Sequence, residues 1–455
     1  MNVFVIVADS WRHDHFGLYG ADGIKTPNLD ALAKESMVFD NSFSGGLPTL
    51  PQRTECLTGR YTLGFRSWQH IETGDELLAE ALWNQGMESA LITDTYHMHK
   101  PQMAFERGFD TVRFIRGQEF DPFIVDKSIA ADALAHLRLR DASDPSANRN
   151  ENIRAQMEQY ERNRAGWKTE EDHFAARVFK EGIDWIEKRK GRDNLFLWLD
   201  SFDPHETWDP MPPYNRMYQP NFTGKDMWQW VPGQVEGYMN EDDLNHLHAN
   251  YAGMCTMVDK WIGVFLNRAR ELGFLENTLI LFTSDHGEPL GDGKWGHGAI
   301  RKCRHWPYEE LVHTPLIVRH PAGLGAGRRS AAYAQPCDYA PTILDFLGRE
   351  GLPKRHGFSL LPVVRGDKEK VRDFAVTGWQ NHSWSIREGD WSYVLWLGGK
   401  MGGRPTEAGY YKKPSPPELY NRSVDKYELN DVIAAHPDVA LRLDQKLREF
   451  MANLA

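Results

Sequence analysis

Thr49 stands in a sequence context that suits a nucleophile at the start of a helix. The run GGLPTLPQRTECLTGR, residues 45–60, places two flexible glycines and Pro48 before this threonine and Pro51 just after it. Because proline is favoured in the first turn of a helix, Thr49 is predicted to lie at a helix N-terminus, where backbone N–H groups attract an anion. A free hydroxyl is a poor nucleophile, so catalysis needs a neighbouring metal ion to favour its alkoxide. An ordinary threonine N-cap is the alternative interpretation.

Asp9, Asp285 and His286 form a second group, which has the chemistry of a metal site. Asp9 and Asp285 each end an apolar run, and His286 follows at once. Two carboxylates and one imidazole suit Mn²⁺ or Zn²⁺ better than Ca²⁺ or Mg²⁺. An aspartate at a strand end is, taken alone, more often a turn or cap residue. The prediction of a divalent metal ion therefore depends on the three side chains converging.

Three further side chains are candidates for handling an anionic ester. Arg53 lies one helical turn beyond Thr49 and is placed to steady the nucleophile or a phosphoryl oxygen by a charged hydrogen bond. His205, in PHE, and His297, in GHG, are candidates for donating to the anion or protonating the leaving group. Alternatively, Arg53 is a surface or capping residue and the two histidines are structural. The catalytic roles are therefore predicted only because the other motifs occur in the same chain.

An α/β fold is predicted to position these side chains. Four short β-rich runs end in an acidic residue: VFVIVAD (3–9), ESALITD (88–94), NLFLWLD (194–200) and NTLILFTSD (277–285). Helix-length segments such as residues 170–188 separate them, which predicts a doubly wound, mostly parallel sheet flanked by helices. Ligands gather at the carboxyl ends of such strands, where Asp9, Asp200 and Asp285 fall.

The predicted pattern of secondary structure changes after about residue 365. We expect residues 1–365 to form the catalytic domain and residues 366–455 a small C-terminal α+β subdomain, with short strands followed by an amphipathic helix. The charged segment 141–169 is predicted to be a solvated insertion or a helical excursion. This insertion and residues 206–240 are expected to shape the site for the alcohol half of the substrate.

Composition excludes several classes of protein. Apolar residues make up 41% and charged residues 26% of the 455 residues, which is typical of a soluble globular protein and argues against disorder or membrane spanning. A net charge of −11 argues against a nucleic-acid surface. The apolar N-terminus lacks the features of a secretory signal, so a cytoplasmic protein is expected. Its four cysteines are scattered, without a CxxC pair, and are expected to be reduced thiols.

Taken together, the segments ADSWRHDHFGLYG, TPNLDALAKES, TLPQRTECLTGR, DPHETW, SDHGEPLGD and PELYNRSVDKYELND resemble the sulfatase family of the alkaline phosphatase superfamily. The family's nucleophile opens a Cys/Ser-x-Pro-x-Arg motif that precedes Thr-Gly-Arg. Here the spacing is kept from Thr49 to Arg53 and on to residues 58–60, but threonine replaces Cys or Ser. Threonine is not expected to become the formylglycine that sulfatases use. Since phosphodiesterase and phosphonate-hydrolase relatives are known to use threonine, the resemblance favours phosphoryl transfer.

The metal motif departs from the usual sulfatase pattern as well. Asp9-Ser10 stands where the family often has two aspartates, and Asp285-His286 stands where it often has Asp-Asn. This pattern resembles the phosphonate monoester hydrolase and phosphodiesterase branch, which favours Mn²⁺-like ions over Ca²⁺. The resemblance implies that Asp9, Asp285, His286 and Thr49 hold the metal.

The resemblance also suggests residues that bind the substrate anion. The family's Lys-x-His corresponds to Thr95-Tyr96-His97, which retains His97 and has Lys100 nearby. Lys302 and His305 lie in a region that often supplies an anion-binding lysine. A second metal would draw on Asp200 or Asp203 with His205.

These observations predict a metal-dependent ester hydrolase whose substrate is a small anionic ester. Phosphoester hydrolysis through Thr49, on a diester, a monoester or a phosphonate ester, is the preferred hypothesis. The alternatives are a sulfatase that works without formylglycine and a non-catalytic homologue that binds an anion or a carbohydrate. Relatives often form dimers or tetramers, which leaves a homo-oligomer open.

Overall fold

The computed structural model describes residues 1–302, 306–397 and 416–454. Its strands are β1 (Asn2–Ala8), β2 (Met37–Ser42), β3 (Glu88–Thr93), β4 (Thr111–Phe114), β5 (Leu137–Arg138), β6 (Leu195–Ser201), β7 (Gln229–Trp230), β8 (Gly233–Gln234), β9 (Thr278–Thr283), β10 (Leu290–Gly291), β11 (Ala299–Ile300), β12 (Leu316–Arg319), β13 (Arg328–Ala334), β14 (Ala375–Trp379), β15 (Ser383–Glu388), β16 (Trp391–Trp396) and β17 (Glu418–Asn421). Its α-helices are α1 (Pro27–Lys34), α2 (Thr49–Thr58), α3 (Leu78–Trp83), α4 (Asn150–Arg164), α5 (Phe174–Glu187), α6 (Glu241–Glu271), α7 (Glu309–Val312), α8 (Tyr339–Leu347), α9 (Leu361–Arg365) and α10 (Pro437–Leu454).

Eight strands form the main sheet, in the order β13-β2-β12-β9-β1-β6-β3-β4. Strand β12 runs antiparallel to both of its neighbours, and the other pairs are parallel. The four predicted strand runs correspond to β1, β3, β6 and β9, which are consecutive in the sheet in the order β9-β1-β6-β3. The predicted doubly wound, mostly parallel sheet is therefore confirmed.

Helices cover both faces of this sheet, as the residues of β1 show. Phe4 and Ile6 point into a core shared with α5 and α6, whereas Val3, Val5 and Val7 point into a core shared with α2 and α8. Successive side chains of a strand point to opposite faces, so a central strand buried on both sides must be apolar throughout. All seven residues of β1 are buried accordingly.

The C-terminal part has the predicted α+β character. Strands β14 to β17 form an antiparallel sheet of four strands, and α10 packs against it through Leu443 and Leu447. The division at residue 365 stays a prediction. The segment 141–169 contains α4, which buries Ile153, Met157 and Tyr160 and is thus the helical excursion of the two alternatives.

Two smaller observations complete the fold. In the part of the chain that the structure describes, we find no helix with both the length and the apolar character needed to span a bilayer. Cys56, Cys255 and Cys337 are buried free thiols, as expected.

Candidate metal and catalytic site

Three aspartates meet at one edge of the main sheet because their strands are adjacent. Asp9 follows β1, Asp200 is the last residue but one of β6, and Asp285 lies two residues beyond β9. Strand β1 pairs in parallel with both β6 and β9, so the three carboxyl ends lie together. All three side chains are fully buried. The sheet topology thus concentrates negative charge where the sequence placed the candidate ligands.

Asp9, Asp285 and His286 have the geometry of a metal site. Each offers one ligand atom, and these three atoms all lie within 4.8 Å of one another. The Nδ1–H of His286 donates to the carbonyl of Gly287 at 2.7 Å, which leaves Nε2 with its lone pair. That Nε2 is buried without a hydrogen-bond partner among the described residues, and Asp9 Oδ2 accepts no hydrogen bond from them, although it forms an ion pair with Arg53 Nη1 at 3.1 Å. These atoms fit a divalent cation, since buried polar atoms otherwise require partners.

The protonation states of the cluster agree with this use. Burial lowers the pKa of His286 to about 4, so its imidazole is neutral at pH 7, as a metal ligand must be. Burial and the neighbouring charge of Asp285 raise the pKa of Asp9 well above its usual value. A bound cation would lower the pKa of Asp9, because it favours the ionised carboxylate, and it would keep the imidazole of His286 neutral.

Arg53 ties the three aspartates to the helix that carries Thr49. Its Nε and Nη2 donate to both oxygens of Asp200, at 2.8 and 2.6 Å, and its Nη1 donates to Asp285 Oδ2 at 2.6 Å. The same Nη1 lies 3.1 Å from Asp9 Oδ2 and donates to the carbonyl of Thr49 at 3.2 Å. Arg53 is fully buried. Burial lowers the pKa of its guanidinium, but the three carboxylates outweigh this effect and raise the pKa, so Arg53 is charged.

Thr49 is the first residue of α2 and is only 1% exposed. Every residue of this helix is buried, so its N-terminus lies inside the protein and next to the carboxylate cluster. Glu55 holds the preceding segment in place: its Oε1 accepts from the N–H of Gly46 at 2.9 Å and from the N–H and hydroxyl of Thr62 at 2.7 and 2.9 Å. Glu55 was not singled out by its sequence context, which contains no pattern that marks it.

Ser10 and Lys302 border the cluster on another side. The Ser10 hydroxyl donates to Asp9 Oδ1 at 2.8 Å and accepts from Lys302 Nζ at 3.1 Å. Lys302 also lies 3.3 Å from Glu288 and 3.7 Å from Glu206. Burial lowers the pKa of Lys302, but the charges of Glu206 and Glu288 outweigh it and raise the pKa above its usual value. Lys302 therefore supplies a fixed positive charge at the site.

His205 lies close to this lysine as a neutral imidazole. Its Nδ1–H donates to the carbonyl of Glu206 at 2.6 Å, and its ring stacks on Phe202 at 4.0 Å. Burial and the charge of Lys302 hold the pKa of His205 well below its usual value. This tautomer leaves Nε2 as an acceptor, which suits a base better than an acid.

The ring centroid of His97 also lies near Phe202, at 6.0 Å from the centroid of that ring. Its Nε2 contacts Glu119 at 2.5 Å, and its Nδ1 lies 3.1 Å from Lys100 Nζ. Burial raises the pKa of Glu119, but the charge of His97 outweighs it and lowers the pKa to about 2. His97 is thus engaged by protein groups at both ring nitrogens.

His297 is placed in a different cluster. Its Nδ1 lies 2.8 Å from Glu310, its Nε2 donates to the carbonyl of Glu428 at 2.9 Å, and its ring stacks on Tyr308 at 4.1 Å. Glu310 raises the pKa of His297 to about 9 against the effect of burial. A role for His297 in catalysis stays a prediction that these contacts do not favour, because both nitrogens are occupied by structural partners.

The donors expected for a second metal have other partners. Asp200 is paired with Arg53, and Asp203 accepts from the N–H of Ala175 at 3.2 Å and lies 3.4 Å from His173. Of the two residues suggested for anion binding near residue 302, Lys302 lies at the site and His305 lies outside the described residues.

Comparison with known protein families matches the sulfatase family, under the description Sulfatase, over residues 1–349. The chain belongs to the sulfatase family. Among curated relatives, this sulfatase-family chain is 25% identical to the N-acetylglucosamine-6-O-sulfatase of Bacteroides thetaiotaomicron, over 95% of the chain and 82% of the relative. It is 29% identical to the multifunctional alkaline phosphatase superfamily protein PehA of Trinickia caryophylli, over 81% of the chain and 77% of the relative.

Solved structures show the same fold. The phosphonate monoester hydrolase of Agrobacterium radiobacter superposes with a TM-score of 0.74 at 22% identity, over 100% of this chain and 96% of that one. A protein solved with its substrate D-glucosamine-2-N,6-O-disulfate superposes with a TM-score of 0.71 at 19% identity, over 100% and 98% of the two chains. The sulfatase-family assignment makes this chain a hydrolase of ester bonds, and a divalent metal ion is part of the family's chemistry.

Proposed function

We propose that this protein hydrolyses a small anionic phosphoester, a diester, monoester or phosphonate ester, with Thr49 as the nucleophile. The observation that carries the proposal is the position of Thr49. It opens a fully buried helix, and its carbonyl shares one guanidinium nitrogen, Arg53 Nη1, with the carboxylates of Asp9 and Asp285. A threonine in this place lies beside the candidate metal ligands and at a helix N-terminus, and both a bound cation and the N-terminus favour an anion.

Asp9, Asp285 and His286, with Thr49, are the residues that would hold a divalent cation, which supplies positive charge to the reacting oxygens when bound. The two carboxylates and one imidazole favour Mn²⁺ or Zn²⁺ over Ca²⁺ or Mg²⁺. Arg53 holds the carboxylates in place, and its buried charge lowers the cost of gathering them.

In the first step, a bond forms between Thr49 Oγ and phosphorus while the bond from phosphorus to the leaving oxygen breaks. The hydroxyl proton of Thr49 passes to solvent, and the leaving alkoxide takes a proton from solvent, so the step is balanced in protons. The ammonium of Lys302 stabilises the charge on the non-bridging oxygens. In the second step, water attacks phosphorus and releases Thr49. The neutral imidazole of His205 is suited to take a proton from that water and to give it to the departing Thr49 Oγ, which restores the hydroxyl.

Sulfate ester hydrolysis without formylglycine is the second candidate. It is supported by the sulfatases among the relatives, which include an arylsulfatase of Clostridium perfringens that is 26% identical over 82% of this chain and 80% of the relative. The replacement of Cys or Ser by Thr49 weighs against it, because a threonine ester cannot be released by collapse to an aldehyde.

The test is hydrolysis of matched nitrophenyl phosphate monoester, diester, phosphonate and sulfate by metal-stripped protein that is re-supplied with Mn²⁺, Zn²⁺, Mg²⁺ or Ca²⁺. Thr49→Ala is expected to lose at least about 1000-fold in kcat on phosphoesters, and Thr49→Ser, which keeps a hydroxyl, is expected to retain much of the activity. Full activity of Thr49→Ala would refute the proposed nucleophile. Turnover of the sulfate alone would favour the second candidate, and metal binding without turnover of any ester would favour a non-catalytic homologue.

A further inference from the structure

Ser10 is held more tightly than its small side chain requires. It is fully buried, and its φ of 61° lies in the left-handed region that residues other than glycine seldom adopt. Its N–H donates to Asp285 Oδ1 at 3.0 Å, and its hydroxyl donates to Asp9 Oδ1 at 2.8 Å. Its carbonyl accepts from the hydroxyl of Tyr251 at 2.7 Å. The N–H, the hydroxyl and the carbonyl of Ser10 thus all form hydrogen bonds that hold a strained backbone conformation. Strain of this kind is concentrated at functional sites, which indicates a functional role for Ser10.

The two donors of Ser10 act on the two carboxylates of the candidate metal site. Each bond occupies the Oδ1 atom of its aspartate, and Asp285 Oδ1 also accepts from the N–H of His286 at 2.8 Å. The Oδ2 atoms both face Arg53 Nη1, at 3.1 Å for Asp9 and 2.6 Å for Asp285. Ser10 therefore occupies the Oδ1 atoms and leaves one oxygen of each carboxylate, the Oδ2 shared with Arg53, for a cation beside His286, whose Nε2 lies 3.6 Å from Asp285 Oδ2.

The hydroxyl of Ser10 is oriented in turn by Lys302. The ammonium donates to Ser10 Oγ at 3.1 Å, so the single hydroxyl hydrogen is free to point at Asp9. A hydroxyl has one hydrogen and two lone pairs, and a cationic donor on the oxygen leaves donation to the carboxylate as the favoured arrangement. The chain Lys302, Ser10, Asp9 is thus a directed series of hydrogen bonds.

The number of carboxylate oxygens available decides which cation a site holds well. Ca²⁺ takes six to eight oxygen ligands and often binds carboxylates through both oxygens, whereas Mn²⁺ and Zn²⁺ accept fewer ligands and bind imidazole readily. Groups that orient ligands from outside the coordination shell change metal affinity by about 10–100-fold when they are removed.

We propose that Ser10 is a positioning residue that commits Asp9 and Asp285 to one oxygen each and thereby makes the site select Mn²⁺ or Zn²⁺ against Ca²⁺. This inference rests on the proposed function only in assuming that Asp9, Asp285 and His286 hold a cation. Ser10 is not among the residues proposed to hold the cation or to react with the substrate.

The experiment measures the affinity of metal-stripped protein for Mn²⁺, Zn²⁺ and Ca²⁺ by competition with a fluorescent chelator, without any substrate. Ser10→Ala removes the hydroxyl and is expected to weaken Mn²⁺ and Zn²⁺ binding by about 10–100-fold. Ca²⁺ binding is expected to weaken less or to strengthen, because the freed carboxylates can turn to bind through both oxygens. The ratio of Mn²⁺ to Ca²⁺ affinity therefore falls.

Two further variants keep the result interpretable. Ser10→Gly also removes the hydroxyl but relieves the strain at φ 61°, so equal losses in the alanine and glycine variants assign the effect to the hydroxyl. Ser201→Ala is the matched control: it deletes a buried hydroxyl at the end of β6 that has no hydrogen-bond partner among the described residues. Its affinities are expected to equal those of the unmodified protein.

The outcomes separate the two proposals. If the unmodified protein binds Mn²⁺ or Zn²⁺ and the Ser10 variants keep its ratio of Mn²⁺ to Ca²⁺ affinity, the role of Ser10 in selection is refuted while the metal-dependent hydrolase stands. If the unmodified protein binds none of the three ions, the metal site itself is refuted, and the inference about Ser10 falls with it.

Discussion

The pKa of the buried Glu55 carboxyl provides a quantitative test of how the segment that leads into Thr49 is packed. Burial raises the pKa of Glu55 from 4.5 to about 7, although hydrogen bonds from Thr62 and Gly46 act in the opposite direction. Its Oε2 has no hydrogen-bond partner among the described residues. We therefore expect folding to favour the protonated carboxyl.

The sign and size of the effect follow from linkage. Because the folded protein holds this proton to a higher pH than the unfolded chain does, the stabilising contribution is complete below about pH 4.5 and is lost as the pH rises to about 7. A difference of about 2.5 pKa units corresponds to about 3 kcal/mol in the free energy of unfolding, as an order of magnitude. Above about pH 7 the loss is complete and the curve levels off.

The assay compares the free energy of unfolding of the unmodified protein with that of Glu55→Gln, by urea denaturation of metal-stripped samples between pH 4.5 and 8.5. Glutamine keeps the accepting oxygen but cannot ionise. The stability of the variant relative to the unmodified protein is therefore expected to rise by about 3 kcal/mol across this range. Glu236→Gln, which removes an exposed carboxyl, controls for the loss of one charge. A difference between Glu55→Gln and the unmodified protein that stays constant with pH, within about 0.5 kcal/mol, would refute the reasoning.

Two other variants probe the same region. Arg53→Met leaves three buried carboxylates without their shared cation and is expected to cost about 3–5 kcal/mol in the free energy of unfolding, measured by urea denaturation; a cost below about 1 kcal/mol would contradict the role given to Arg53. Gly45→Ala is expected to cost about 1–3 kcal/mol, because its Cβ would lie 1.7 Å from Glu55 Oε2. Thermal denaturation checks this, with Gly74→Ala, which meets no atom within 4 Å, as the matched control.

Local sequence patterns were sufficient to predict the strands that carry the acidic residues. A central strand of a doubly wound sheet is buried on both faces, so it appears as an uninterrupted apolar run, and its end is marked by the first polar residue. This pattern predicts Asp9, Asp200 and Asp285 at strand ends, where the structure places them. The prediction of α5 was less sharp: it begins at Phe174 rather than near residue 170, because a short 3₁₀ turn, Glu170–Asp172, precedes it.

Local patterns carried no information about the partners of single polar side chains. His205 directly follows a proline and His297 directly follows a glycine, so their sequence contexts are similarly uninformative. In the structure His205 lies beside Lys302, whereas His297 is bonded to Glu310 and Glu428. Glu428 is 131 residues away along the chain, so its approach depends on how the C-terminal part packs. The role proposed for Ser10 likewise depends on its hydrogen bonds with Asp285 and Lys302, which are distant in sequence.

The sequence by itself determined the fold class, the order of the central strands along the chain and the residues at their carboxyl ends, because burial on both faces of a sheet constrains every residue in a strand. The tertiary structure alone decided that Arg53 gathers three aspartates, that Ser10 orients two of them and that His297 is bonded elsewhere. Hydrogen bonds between side chains depend on distances of a few tenths of an ångström between elements far apart in the chain, and only the packed fold sets those distances.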